Sequence, residues 1–338
     1  MTDSSEGAIA VIGGPGSGKS TWLGSVLEAV QQGQSGVLGL PPGGFPNDAQ
    51  AIKVLTDPLV DARYSERTPF EQEVELRVGL RAQHEALGER DVQLAVSDYA
   101  GEQLDRLFEH RTRGWGQSWR ARANAAGLLV FIRPAANLPL PRRVKVPVGS
   151  SWAQGLSDTS PSSPSRLLSP ITPDQVFPAI SDEVPVVPLP GPRDPVSIPT
   201  VLALIEMLQF LRGERGYHLG QRPTRGSMRV ALVVSAWDAV GEEWRRKGPN
   251  HYLAEHLPML EEFIWSSFEA DDVFRFGLSA TGGDLKNDEY RKKYQDDPAG
   301  WCEWAAADGR IEHTDEVSLP LLWTLFGDPA LTCGVTDR

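Results

Sequence analysis

The sequence predicts a three-layer α/β fold with a mostly parallel sheet and one antiparallel strand. Short apolar runs of strand length alternate with amphipathic stretches of helix length. A glycine-rich loop joins the first strand to the first helix, and two neighbouring segments of alternating polarity form one hairpin. Forty per cent of the 338 residues are hydrophobic, enough for one large or two medium domains with a substantial core. The net charge of −12 argues against a general nucleic-acid binder and against docking to an anionic membrane surface. No apolar run approaches the length of a membrane span, so none is expected. The polar, acidic Met1–Gly7 is unlike a secretory leader. The two cysteines, Cys302 and Cys333, lack metal-ligand spacing and fit free thiols in a reducing cytoplasm.

Ala8–Ile12 is a short apolar run and reads as a buried strand. Thr21–Gln31 reads as a helix with Trp22, Leu23, Val26, Leu27 and Val30 on one face. Gly33–Pro46 is a Gly- and Pro-rich loop, Asn47–Val60 mixes helical and turn signals, and Asp61–Phe70 is polar and loop-like. Glu71–Leu80 alternates, with Val74, Leu76, Val78 and Leu80 on one side. Asp91–Ser97 alternates again, with Val92, Leu94 and Val96 inward. These two strands form the hairpin. A helix follows to about Arg122, with Leu104, Leu107 and Phe108 on its apolar face, and Gly127–Ile132 is a central strand.

Residues 134–200 hold 15 of the 27 prolines and show no periodicity. They read as a disordered or loosely packed insertion, a linker first and a partner-docking segment as the alternative. Order returns with a helix at Val201–Arg212, a strand at Met228–Ser235, a helix at His251–Phe268 and a strand at Val273–Ser279. Asp284–Gly309 is polar and Trp-rich without a clear element, and Glu316–Phe326 is an apolar helix. One α/β domain therefore runs over residues 1–133 and 201–338, with 134–200 inserted between its fourth strand and the next helix. Trp301, Trp304 and Trp323 read as core residues rather than a contact surface.

Residues 13–21 read Gly-Gly-Pro-Gly-Ser-Gly-Lys-Ser-Thr and fit G-x-x-x-x-G-K-[ST], the phosphate-binding P-loop. Backbone N–H groups must wrap a polyphosphate, and side chains in the loop would block them. Glycine removes those side chains and permits positive φ. The helix that follows aims free N–H groups and a partial positive charge at the phosphates. Gly13, Gly14, Gly16, Ser17, Gly18, Lys19, Ser20 and Thr21 are the candidate phosphate-binding residues. Lys19 can reach the β- and γ-phosphates, and the Ser20 hydroxyl can ligate Mg²⁺.

Four more stretches fall at strand ends, where α/β sheets place ligands. They are Asp98-Tyr99-Ala100-Gly101, Ser235-Ala236-Trp237-Asp238, Leu278-Ser279-Ala280-Thr281, and Thr68 ahead of the hairpin, with Thr56 a poorer alternative. In this order they resemble the Ras-like branch of P-loop GTPases, over residues 8–133 and 200–327. The long gap before the hairpin, the Asp-x-x-Gly-Glu stretch and the large insertion resemble, within it, the bacterial double-GTPase group of conflict and defence systems.

That resemblance implies GTP or GDP with Mg²⁺ as the ligand. It gives Asp98 and Thr68 to the metal together with Ser20, and the Gly101 N–H to sensing the γ-phosphate. Asp238 would bind guanine N1 and N2, and the Ser279–Ala280 loop would meet guanine O6. Two letters depart from the family: Ser235 stands where Asn is usual, and Ala236 where a Lys stem covers the base. Trp237 either compensates or packs. Many relatives place a water-orienting Gln directly after the glycine. Here Glu102 follows, whose carboxylate a γ-phosphate repels, and Gln103 comes next. Arg111 and Arg113 read as solvated surface residues before arginine fingers. The reaction implied is slow GTP hydrolysis in a molecular switch with protein partners, an effector or an activating protein. An ATP-dependent ATPase or kinase and a non-hydrolysing scaffold stay open beside it.

Overall fold

The computed structural model describes residues 9–14, 16–40, 49–64, 74–84, 88–98, 120, 122–134, 200–218 and 220–327. All of them belong to one compact unit built from Met1–Leu138 and Ile198–Arg338, which is separate from Pro139–Ser197. The predicted insertion therefore lies almost wholly outside the described residues.

At the centre stands β1 (Ile9–Gly13), buried along its whole length. It lies parallel to β4 (Gly88–Asp98) on one side and to β5 (Gly127–Ile132) on the other. The parallel array continues through β6 (Arg229–Ser235) and β7 (Val273–Ser279). β1, β5 and most of β6 are apolar without a break because helices cover both of their faces. Ile9 and Val11 enter one core with α1 (Lys19–Gln31), α2 (Ala49–Val60) and α7 (Leu319–Phe326), where Trp22, Leu27, Phe131 and Trp323 are buried. Ala10 and Ile12 enter the other, with α3 (Thr200–Glu214), α4 (Glu242–His256) and α5 (Pro258–Ser267), where Met207, Leu208, Leu253 and Phe268 are buried. The two-residue period of a strand thus divides its side chains between two helix layers, which gives the three-layer class.

The predicted hairpin is present and longer than its pattern. β3 (Val74–His84) pairs antiparallel with β4 from Val74–Asp98 to His84–Gly88. Among the described residues the sheet has nine strands in the order β2-β3-β4-β1-β5-β6-β7-β8-β9, with β2 (Leu38–Gly39), β8 (Trp301–Ala305) and β9 (Ile311–Thr314) adding antiparallel edges to the predicted set. β2 is a two-residue bridge inside the segment read as a Gly/Pro loop. Asn47–Val60, whose signals conflicted, is helical from Ala49 and carries Pro58 inside it. Of the helix expected up to Arg122, only residues 120 and 122 fall among those described.

Two segments differ from expectation. The single helix read over His251–Phe268 is two, α4 and α5, broken at Leu257 (φ −132°, ψ 50°) ahead of Pro258. Proline lacks the donor and pushes the preceding residue out of the helical region. The stretch Asp284–Gly309, read as without an element, contains α6 (Asp288–Asp296) and β8. The Asn287 side chain caps α6, accepting from the N–H groups of Glu289 (3.0 Å) and Tyr290 (3.1 Å). Only Tyr294 of α6 is buried, so the helix has almost no apolar stripe. The β8–β9 connection turns on Asp308-Gly309, with Gly309 at φ 84° and the Arg310 N–H bonded to Asp308 Oδ1 at 3.0 Å. Trp304 and Trp323 are core residues, and Trp301 is half-buried. Cys302 is a buried free thiol, and Cys333 lies outside the described residues.

On α1, Glu28 is buried and accepts one bond from Gln32 Nε2 at 3.2 Å. Burial raises its carboxyl above the ordinary value, more than the Gln32 bond lowers it. A raised folded-state value means stability that is present at low pH and lost as pH rises through it. Glu28→Gln is therefore expected to raise Tm at pH 7, with the gain shrinking toward pH 4. Thermal unfolding at both pH values checks this, and an equal gain at both would assign the effect to packing.

Candidate functional site

The loop after β1 is shaped by two close approaches. A Cβ on Gly13 would stand 2.6 Å from the Phe131 carbonyl oxygen and 2.6 Å from Ser17 Oγ, so only glycine passes there beside β5. Gly18 is left-handed (φ 83°, ψ 8°) and turns the chain into α1. Lys19, the first residue of α1, is 6% exposed. Its ammonium donates to the carbonyl oxygens of Gly13 (3.0 Å) and Gly14 (3.2 Å) and to Ser17 Oγ (3.4 Å), so it lies against the loop itself. Ser20 and Thr21 follow, half-buried, and Gly16 is exposed. The first turn of α1 has no acidic side chain, which leaves the positive end of the helix dipole uncompensated. Arg133, just past β5, donates to the Gly16 carbonyl at 3.3 Å. It was not among the expected residues, since a single Arg after a strand carries no pattern.

Asp98 ends β4. β1 and β4 are in register at Val11–Val96, and two residues further along each strand stand Gly13 and Asp98. The backbone thus brings Asp98 to the start of the loop. Thr68, Gly101, Glu102, Gln103, Arg111 and Arg113 lie outside the described residues.

The two stretches expected to meet the base converge at the ends of β6 and β7. Ser235 is buried, its Oγ 3.4 Å from the Ile132 carbonyl oxygen, and it lies beside Gly18 of the loop. Ala236 is left-handed (φ 47°, ψ 44°). Trp237 is fully buried, so it packs rather than replacing the Lys stem that Ala236 lacks. Asp238 is half-exposed and accepts a 2.5 Å bond from Ser279 Oγ, which joins two of the predicted residues directly. The Ala280 carbonyl accepts from Ser25 Oγ of α1 at 2.9 Å, which ties this loop to the helix of the P-loop.

Tyr64, four residues past α2, is a further residue of this end that the sequence did not disclose. Its hydroxyl donates to Asp284 Oδ1 (3.0 Å) and accepts from the Leu285 N–H (3.0 Å). Burial, with Asp284 and Asp238 adding to it, pushes its phenol up to about 12 despite the Leu285 bond. The phenol therefore stays a neutral donor. Tyr290 of α6 likewise donates to the Thr281 carbonyl at 2.8 Å. Lone tyrosines in polar segments give no sequence signal.

A cavity of about 490 Å³ lies elsewhere, around the N-terminal ends of β6 and β7 and the end of α7. Its arginines are engaged: Arg225 with Asp271, Arg229 with the Thr324 and Leu325 carbonyls, Arg275 with Glu261. The P-loop is at the opposite, C-terminal ends of the strands, where the chemistry described above collects.

The Double-GTPase 1 family model matches residues 10–324, a span that holds the P-loop, Asp238 and Ser279–Ala280. No curated protein matches. Among solved structures, a bacterial selenocysteine-specific elongation factor, EF-Sec, is 12% identical with a TM-score of 0.31, over 86% of this chain and 28% of that one. The chain thus spans under a third of the elongation factor's length. A second, the signal recognition particle receptor SRb-GTP/SRX complex from Chaetomium thermophilum, is 11% identical with a TM-score of 0.30, over 86% of this chain and 97% of that one. With its family model matched from residue 10 to residue 324, the chain belongs to the Double-GTPase 1 family of P-loop GTPases.

Proposed function

We propose that the chain binds GTP and GDP with Mg²⁺ at the P-loop, hydrolyses GTP slowly and acts as a switch. The observation that carries the guanine reading is the Ser279–Asp238 bond, which holds a half-exposed carboxylate at the ends of β6 and β7. A carboxylate there accepts from the N1 and N2 donors of guanine, whereas adenine offers it an acceptor at N1. The glycine cradle at Gly13 and Gly18, the Lys19 ammonium and the uncompensated start of α1 suit a polyphosphate. Ser20 suits Mg²⁺, with Asp98 and Thr68 proposed beside it. Held there, Mg²⁺ would supply positive charge to offset the charge that develops on the transferring phosphoryl group.

The protein's own contribution is positioning and charge. Lys19 and the loop N–H groups hold the phosphates, the Gly101 N–H senses the γ-phosphate, and Gln103 orients the attacking water. Without an arginine finger, turnover on the order of 10⁻⁴ to 10⁻² s⁻¹ is expected. Loops around Thr68 and Asp98 would then report the γ-phosphate to an effector or activating protein. The double-GTPase resemblance supports a multi-protein bacterial setting of the conflict or defence kind. Among the described residues no helix is long and apolar enough to cross a membrane.

Calorimetry with GTP, GDP and ATP in the presence of Mg²⁺, followed by phosphate release on the same sample, tests the proposal. Guanine preference with slow release is expected. ATP preference moves the reading to an ATPase or kinase, and binding without release moves it to a scaffold. Two substitutions sharpen the result. Asp238→Asn should cost GTP about 1.5–3 kcal/mol of affinity, roughly 10- to 150-fold, and spare ATP. Lys19→Ala should weaken every nucleoside triphosphate by at least as much, and unchanged affinity would remove the P-loop from the binding site.

A further inference from the structure

We infer that Glu303 is a positioning residue for base recognition, acting on Asp238 through the Trp237 indole. The inference rests on the proposal that Asp238 reads guanine. It concerns a residue of β8, the strand that the sequence pattern did not disclose.

Asp238 sits in the middle of a three-residue 3-10 turn, Trp237–Ala239. Backbone bonds from Ala239 to Ala236 (3.0 Å) and from Val240 to Trp237 (3.2 Å) close that turn, and no side chain caps its start. Its first hinge, Ala236, holds a left-handed conformation that a residue with a Cβ adopts only when its surroundings impose it. The surroundings act through Trp237. The ring lies over Gly277 of β7, where a Cβ would approach within 2.5 Å of it. Tyr252 meets it edge-on, with centroids 5.4 Å apart. Its Nε1–H donates to Glu303 Oε2 at 2.7 Å.

Glu303 is 7% exposed. Its other oxygen accepts from Arg245 Nη2 at 2.8 Å and lies 3.5 Å from His313 Nδ1. The Arg245 guanidinium in turn lies 4.5 Å above the Trp301 ring. A buried carboxylate is costly to desolvate and offers little net stability over an apolar side chain of similar size. What it supplies is direction, because a charge-assisted bond fixes the indole in rotation as packing alone does not. The ladder places this device under the base site. Glu303 is opposite Gly277, and Trp301 is opposite Ser279, the donor to Asp238. One pair of strands therefore sets both constraints on the Asp238 carboxylate, at a turn where Ala236 supplies no stem over the base.

The test uses the full chain with Mg²⁺ and three probes: GDP, IDP, which lacks the guanine 2-amino group, and ADP. The wild type should prefer GDP to IDP, and Asp238→Ala should erase that preference. Glu303→Leu should cut GDP affinity roughly five- to tenfold while IDP changes less than about twofold, since a merely structural role would weaken both alike. Glu303→Gln, which keeps an acceptor for the indole, should restore most of the preference. In a Trp237→Phe background, Glu303→Leu should add less than about twofold. A wild-type GDP:IDP ratio in Glu303→Leu, or equal losses for GDP and IDP, overturns the inference while Asp238→Ala still supports the base reading. A wild type without preference overturns the base reading and this inference with it. Should Glu303→Leu fail to fold, Trp237→Phe alone decides: a GDP-selective loss supports the inference and an unchanged ratio overturns it.

Discussion

Between Gly13 and Lys19 the backbone has to leave a buried strand, pass beside β5 and turn into a helix. The Phe131 carbonyl is close enough to Gly13 that no Cβ fits, and Gly18 must be left-handed. Such a path persists only if β1 and β5 cannot shift. The rest of the fold supplies that restraint. Both faces of β1 are sealed, Ile9 and Val11 into one core and Ala10 and Ile12 into the other, each large side chain contributing on the order of 1.5–3 kcal/mol. A one-residue slip would exchange those faces. Trp22 adds a tie from α1, its Nε1–H bonded to the Val317 carbonyl at 2.9 Å and its ring against Phe131.

The other end of the site is held by different physics. Around Asp238 the restraints are polar and directional: Ser279 Oγ on the carboxylate, Glu303 on the neighbouring indole, Ser25 on the Ala280 carbonyl, Tyr64 on the loop at Asp284–Leu285. Each bond joins residues far apart in the chain, so the base end depends on the sheet and α1 being assembled first. The phosphate end, by contrast, is almost wholly local, one strand, one loop and one helix in sequence. A destabilised variant should therefore loosen base discrimination before phosphate binding.

This difference also governs what the sequence discloses. The P-loop is contiguous and its glycines have a local cause, so its letters and its flanking strand and helix are readable. Strands β1, β5 and β6 are readable because burial on both faces leaves an apolar run, and β7 because one Arg interrupts an otherwise apolar one. β8 is not, since Trp-Cys-Glu-Trp-Ala carries a charge in its middle, and the partners that make Glu303 tolerable, Arg245 and Trp237, come about sixty residues earlier. α6 hides for a related reason: nine residues with one buried side chain have no period to detect, although Asn287 followed by Asp288 and Glu289 is a readable helix start. The break at Pro258 was written in the letters and was overridden by the regular apolar spacing around it.

Net charge adds a separate lesson about scale. A chain at −12 should repel a nucleoside triphosphate from a distance, yet cationic groups stand at the loop itself. Lys19, Arg133 and the start of α1, whose first turn has no acidic residue, face the loop within a few ångströms. At physiological ionic strength charges are screened over about 8 Å, so the acidic surface beyond that distance contributes little at the phosphates. The global charge therefore bears on solubility and on which large polyanions stay away, whereas the choice of a small anion at the loop would fall to groups within one Debye length of it. The same net charge that argues against a nucleic-acid surface is thus compatible with a tightly held polyphosphate.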